Sequence, residues 1–101
     1  MPSLTVISWR DIPAQVIVKR GRESAKAQLS VRFQEAIDRA AMRAGKGTSD
    51  AYLADWKRSE PRTCGEDIQA EATAEAARIE ARFSDADLEA LIRSKGLAAG
   101  S

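Results

Sequence analysis

Two short β-prone runs near the start of this 101-residue chain constrain its fold more than any other feature. Residues 4–9 and 15–20 are rich in β-branched side chains and contain neither glycine nor proline. Residues 10–14, which separate them, include Asp11 and Pro13, two residues typical of loops. Runs so close in sequence pair most simply as antiparallel neighbours, so the sequence predicts a β-hairpin with a five-residue loop.

A long helix is predicted after the hairpin. Ser24 is a candidate N-cap for a helix over about 25–44, along which apolar residues recur at three- and four-residue spacing, and Gly45 follows as a stop signal. Residues 46–50 are expected to form a loop. Residues 51–58 fit both an alternating strand and a helical face. We favour a strand, because a third strand would give the hairpin a sheet able to carry helices.

Two more helices are predicted in the second half of the chain. Thr63 and Glu66 have the spacing of a capping box at the start of a second long helix. Ser84 and Asp87 repeat that spacing at the start of a short last helix, which Gly96 is expected to end. The sequence therefore predicts one α+β domain over residues 1–96 and a flexible tail over 97–101. In it, an N-terminal antiparallel β-hairpin, extended to a three-stranded sheet, packs against two longer helices and a short C-terminal helix.

Composition places the chain among ordinary globular domains, with 44% hydrophobic and 31% charged residues. The net charge is only +1, but residues 1–48 carry 9 Lys/Arg against 4 Asp/Glu and residues 49–101 carry 7 against 11. The charges therefore either pair across the fold or leave a basic surface around the hairpin. The chain shows no run of ~20 apolar residues, no secretory leader pattern and one cysteine. We expect a cytoplasmic protein that does not enter a membrane.

The reactive residues are few. There is no histidine and only one cysteine, so we expect no catalytic constellation, no metal site and no cofactor, and we interpret the chain as a non-enzyme. Cys64 lies beside Arg62 at the predicted start of a helix, an environment that lowers a thiol pKa. A reactive role for Cys64 is the lesser alternative, because neither a base nor a partner thiol accompanies it.

Two groups of residues are candidates for binding. The first combines Trp9, Arg10 and Asp11 of the hairpin loop with Trp56 and Arg58, which together would form an exposed aromatic and cationic platform. The alternative is that both tryptophan rings complete the small core while Arg10 and Asp11 stabilise the loop.

The second group is basic and follows the second strand: Lys19, Arg20, Arg22 and Lys26. These four charges would contact phosphates of a nucleic acid, although four alone imply weak and salt-sensitive binding. The alternative is a solvated edge strand, in which Lys and Arg deter pairing with other strands.

Three segments carry a resemblance to a known family. SWRDIPAQV at 8–16, RFQEAIDRAAM at 32–42 and YLADW at 52–56 resemble the small bacterial domain family called "virulence factor", over about residues 3–92. In that family the domain occurs alone and within larger proteins named conserved virulence factor C. The label implies a phenotype and brings no functional residues to this chain. Stand-alone members look similar to proteins encoded near corrinoid and folate methyl-transfer genes, which implies an accessory role.

The leading hypothesis is a cytoplasmic accessory or protein-interaction module without enzymatic activity, which binds a protein partner through the hairpin surface. A single-stranded RNA or oligonucleotide-binding module is one alternative, and an accessory subunit of a corrinoid or folate methyl-transfer system is another. The sequence leaves open the partner's identity, the oligomeric state and the exposure of the two tryptophans.

Overall fold

The computed structural model describes residues 2–45 and 53–97. Its strands are β1 (Ser3–Trp9), β2 (Ile12–Arg20), β3 (Glu23–Gln28), β4 (Trp56–Arg58) and β5 (Arg62–Thr63), and its helices are α1 (Val31–Arg43), α2 (Ile68–Arg82) and α3 (Asp85–Arg93). The strands form one antiparallel sheet in the order β3-β2-β1-β4, and β5 pairs with the beginning of β1. The predicted α+β class and the N-terminal hairpin are confirmed.

The turn between β1 and β2 is shorter than the sequence suggests. Trp9 is paired directly with Ile12, so only two residues connect the strands, and Pro13 lies inside β2 opposite Ser8. The next pair along β2 skips Ala14, which leaves a β-bulge at this end of the hairpin. A bulge tolerates a proline that cannot donate to the ladder, and this is why the predicted five-residue loop is wrong.

The predicted start of the first helix at Ser24 is also wrong. Residues 23–28 form β3, in which Ala25 is buried while Ser24 and Lys26 are exposed. Six consecutive pairs join β3 to β2, so sheet pairing overrides the helical preference of alanine and lysine. The helix α1 begins after Ser30, which is its N-cap residue.

The helices cover one face of the sheet and enclose the core. Val16 and Val18 of β2 lie opposite Ala27 and Ala25 of β3, and α2 packs across these two strands. The helix α1 contacts β2 on one side and α3 on the other. The largest fully buried side chains are Trp9, Phe33, Leu4, Ile12, Ile37, Val16 and Val18. The opposite face of the sheet is exposed at Lys26 and half-exposed at Ile17.

The third predicted strand is partly confirmed. Residues 56–58 form β4 against β1, whereas Leu53 and Ala54 are helical. Residues 51 and 52 lie outside the described part of the chain, as do the predicted loop at 46–50 and all but Leu97 of the predicted tail.

One predicted helix start is confirmed and one is wrong. Ser84 and Asp87 form the predicted capping box of α3. Thr63 instead lies in β5, and α2 begins after Asp67, whose side chain accepts a hydrogen bond from the amide of Ala70 at 3.2 Å. Because Thr63 is paired with β1 in the sheet, no helix begins at this residue and its hydroxyl does not act as an N-cap. Within the described ranges, no helix has the length and apolar character needed to cross a bilayer.

Candidate functional site

The structure divides the predicted site residues between the two ends of β2. Trp9, Arg10 and Asp11 lie at the turn before this strand, whereas Lys19, Arg20 and Arg22 lie at or beyond its other end. Arg20 lies eight positions after Ile12 along extended chain, a span of roughly 26 Å at ~3.3 Å per residue. The predicted residues therefore do not form one surface.

Trp9 is part of the core. Its side chain is 0% exposed, and its ring lies against the backbone of Gly96 at the end of α3. The platform hypothesis required an exposed ring here, so the alternative in which Trp9 completes the core holds. Trp9 is not accessible to a ligand in this structure.

Arg10 and Asp11 hold the turn in place. The Arg10 guanidinium lies 5.0 Å from the centre of the Trp9 ring, donates to the carbonyl of Lys95 at 2.8 Å and forms an ion pair with Asp55 at 3.3 Å. The Asp11 amide donates to the carbonyl of Gly96 at 2.8 Å, and its carboxylate accepts from Lys57 Nζ at 3.2 Å. These contacts fasten the turn to the end of α3 and to β4.

The basic group is not one patch either. Arg20 donates to the Glu66 carbonyl at 2.6 Å and to the Glu23 carboxylate at 3.0 Å. The carboxylates of Glu23, first, and of Glu66 raise the pKa of Arg20 above its ordinary value. Lys19 follows Val18 on β2, so it projects from the opposite face of the sheet to Arg20. Arg22 is exposed in the turn between β2 and β3. The edge charges are thus distributed over two faces and a turn.

A groove lies beside Trp56 on the hairpin surface. Trp56 is half-buried and lines two adjoining cavities of about 400 and 550 Å³, which also share Gln15. The smaller cavity leads toward the beginning of α1, and the larger one runs over the exposed face of β1, β2 and β3. We call these two cavities together the Trp56 groove. Its walls are formed mainly by Ile7, Gln15, Ile17, Lys26, Leu29, Val31, Leu53, Trp56 and Arg58.

The groove combines apolar walls with a positively charged rim. Val31 is 70% exposed and Leu53 is 62% exposed, although both are large apolar residues. Lys26 and Arg58 line the larger cavity, and neither forms an ion pair with a residue in the described ranges. No carboxylate is among the described residues that line either cavity. Exposed apolar area rimmed by polar or charged side chains is typical of a surface that binds another molecule.

Trp56 and Arg58, two of the binding residues predicted from the sequence, line this groove. Ile7, Ile17 and Leu53 were missed. The position of Ile17 could have been predicted. Val16 and Val18 both point toward the core, so Ile17 between them must lie on the other face of the sheet. An isoleucine on the outward face of a strand is a reason to look for an apolar surface there.

The reactive groups of the chain lie away from the groove. Burial raises the pKa of the Cys64 thiol, Glu71 and Glu66 add to this effect, and nearby Arg62 only partly opposes it. The sequence predicted a lowered thiol pKa at the start of a helix. The pKa is raised instead, because α2 begins after Asp67 and not at Cys64. Among the residues that the structure describes, no group of three or more His, Cys, Asp or Glu side chains is placed to hold a metal ion.

Comparison with known proteins gives one match. The family model described as "Virulence factor" matches residues 7–92, which is most of the chain. The chain belongs to the Virulence factor family. No curated protein and no solved structure is significantly similar to it. The matched range begins at Ile7, so it includes Trp56 and most of the groove-forming strands of this Virulence factor domain. The family description names a biological effect and specifies neither a reaction nor a ligand.

Proposed function

We propose that this Virulence factor domain is a non-enzymatic protein-interaction module that binds a partner protein in the Trp56 groove. The observation that carries the proposal is the groove itself, in which exposed apolar side chains and two cations without an ion-pair partner among the described residues lie around a half-buried tryptophan. Tryptophan and arginine are the residue types most often found at the energetic centre of protein interfaces.

The groove also favours one kind of partner segment. Leu53 and Ile17 offer apolar contact, while Lys26 and Arg58 offer positive charge without a neighbouring carboxylate on the groove wall. A segment that combines apolar side chains with Asp or Glu would complement both properties. We therefore expect the partner to present an acidic and apolar segment.

The contacts of the buried acidic groups support the proposed absence of enzymatic activity. Glu75 is buried, and its carboxylate is held by Arg62 at 2.8 Å and by Arg78 at 2.7 Å. Buried and held by two arginines, this carboxylate is engaged within the fold and is not presented to a substrate. We place the module in the cytoplasm, since a lone Cys64 cannot form a disulfide within the chain.

The oligonucleotide alternative has less support. Its stacking platform needed two exposed rings, and Trp9 is fully buried. Of its basic residues, Arg20 is engaged by Glu23 and Glu66. An accessory role in corrinoid or folate methyl transfer is compatible with the proposal. In that case the partner that binds in the Trp56 groove would be a protein of the methyl-transfer system.

Affinity capture with matched charge variants tests the proposal. Arg58→Glu reverses a charge on the groove wall, and Arg22→Glu makes the same change in the distant β2–β3 turn. We expect the wild-type protein and Arg22→Glu to capture the same nuclease-resistant protein, and Arg58→Glu to bind it at least about tenfold more weakly. The affinity is then measured by titration of the purified partner.

Two results would contradict the proposal. One is a partner that binds Arg58→Glu as tightly as the wild-type protein, which would place the interface elsewhere. The other is capture that disappears after nuclease treatment, which would favour the oligonucleotide alternative. Circular dichroism of each variant establishes that the fold is retained.

A further inference from the structure

Strand β3 forms an open edge of the sheet. It pairs with β2 over six residues, and no hydrogen bond from any described residue reaches the backbone of its other side. The opposite edge consists of a three-residue β4 and a two-residue β5, which are short and offer little backbone to pair with. β3 contains no proline, and its register with β2 is free of bulges. Such an edge presents donors and acceptors that another extended strand can satisfy.

We propose that β3 pairs with β3 of a second copy of this chain. The two strands run antiparallel about a two-fold axis perpendicular to the sheet, with Ala25 of one copy opposite Ala25 of the other. Lys26 of each copy then lies opposite Ser24 of the other copy. The sheet is continuous across the dimer, and the interface is isologous, as in most homodimers.

Symmetry and charge together select this register. Directly opposite side chains in a sheet share a face, so a two-fold axis between antiparallel strands must pair one residue with its own copy. An axis at Glu23 or at Lys26 opposes two like charges, which is destabilising. An axis at Ser24 places Arg22 opposite Lys26, again with like charges. Axes at Ala27 or Gln28 also avoid like charges but pair at most residues 26–28 of β3 with each other, whereas an axis at Ala25 avoids every such pair and keeps residues 23–27 paired.

The remaining pairs of this register are compatible with the two faces of the sheet. Ala25 lies on the helix-covered side, opposite Val18 of β2, so both helix layers lie on the same face of the joined sheet. Glu23 lies opposite Ala27 on that side, and its carboxylate already has Arg20 as a partner at 3.0 Å. On the other side, the small Ser24 leaves room for the long Lys26 side chain of the second copy.

Sedimentation of the purified chain over a wide concentration range tests the proposal. We expect concentration-dependent dimerisation that Ser24→Lys weakens by roughly tenfold or more, because it places a lysine opposite Lys26 in two symmetric pairs. Adding Lys26→Glu to Ser24→Lys converts both repulsive pairs into attractive ones. The double variant should therefore dimerise at least as strongly as the wild-type chain.

Thr63→Lys provides the control, because it adds the same charge to β5 at the opposite edge of the sheet and should leave dimerisation unchanged. Three results would overturn the proposal: a chain that stays monomeric at every concentration, dimerisation that Ser24→Lys leaves unchanged, or a double variant that does not recover association. Thermal unfolding of each variant accompanies the series, since Ser24 also lies opposite Lys19 within one chain. The measurement uses the purified chain alone, so its outcome is separate from that of partner binding in the Trp56 groove.

Discussion

At the scale of single residues, Gly96 has the most demanding environment of the glycines described. Its φ of +86° lies in the left-handed region, and a Cβ atom there would lie 2.7 Å from Cζ3 of Trp9. Gly21, in the turn between β2 and β3, has a φ of +61°, but a Cβ atom at this position would meet nothing within 4 Å. An alanine at position 21 would therefore meet backbone strain alone, whereas an alanine at position 96 would meet both backbone strain and steric overlap.

We predict that Gly96→Ala destabilises the protein much more than Gly21→Ala. Left-handed backbone costs alanine about 1–2 kcal/mol at either position, and overlap with the buried Trp9 ring adds about 1–3 kcal/mol at Gly96 alone. Urea unfolding of both variants measures the difference. Equal losses of unfolding free energy in the two variants would show that Trp9 does not pack on Gly96 as described.

At the scale of elements, the clearest contrast is between a capping pattern that forms a cap and one that does not. The Ser84 hydroxyl accepts from the Asp87 amide at 3.1 Å, and the Asp87 carboxylate accepts from the Ser84 amide at 3.0 Å. Thr63 has the same sequence spacing to an acidic residue, yet it lies in β5.

We predict that Ser84→Ala lowers the free energy of unfolding by about 1 kcal/mol, while Thr63→Ala changes it by less than about 0.5 kcal/mol. The reason is that only Ser84 satisfies a helix amide with its side chain. Thermal or urea unfolding of the two variants compares them directly. If Thr63→Ala were the more damaging substitution, α2 would begin near residue 63 and the assignment of β5 would be wrong.

The elements that the sequence predicted correctly are those specified by nearby residues. The hairpin follows from two adjacent β-branched runs, and the cap of α3 follows from residues three positions apart. β3 was missed because its alanines and Lys26 favour a helix locally, and only pairing with β2 makes them a strand. Trp56 and Arg58 were candidate binding residues from the sequence, which did not predict the groove that they line. Its walls combine residues of four strands, of the segments before β4 and α1, and of the beginning of α1, so no local sequence pattern predicts it.

At the scale of the whole molecule, the uneven charge distribution is partly neutralised across the fold. Arg10, Arg20 and Arg32 belong to the basic first half, and each forms an ion pair with a carboxylate of the acidic second half. Contacts between exposed groups contribute only ~0–1 kcal/mol each. The ion pair of Arg32 belongs to a larger group of contacts between the end of α2 and the beginning of α1, where Glu80 contacts both Ser30 and Arg32.

Glu80 acts as a clamp between these helices. Its carboxylate accepts from the Ser30 amide, from the Ser30 hydroxyl at 3.0 Å and from Arg32 at 3.2 Å. Burial alone would raise the pKa of Glu80, but these hydrogen bonds and the Arg32 charge outweigh it and lower the pKa below the ordinary value. Because the folded pKa lies below the unfolded one, the clamp contributes fully above the unfolded pKa of about 4.3 and is lost as pH falls through the folded value.

We therefore predict that Glu80→Gln lowers the free energy of unfolding by about 1–2 kcal/mol near neutral pH, because a neutral amide is a weaker acceptor for Ser30 and Arg32. Below the folded pKa the wild-type side chain is itself protonated, so the difference between the two proteins should shrink as the pH falls below about 4.3 and through the folded pKa. Urea unfolding of both proteins at a series of pH values measures this convergence. Glu89→Gln is the matched control, since Glu89 is exposed in α3 and forms no hydrogen bond or ion pair with a described residue. A Glu80→Gln deficit that stayed constant from neutral to acid pH would show that the charge of Glu80 does not join the two helices.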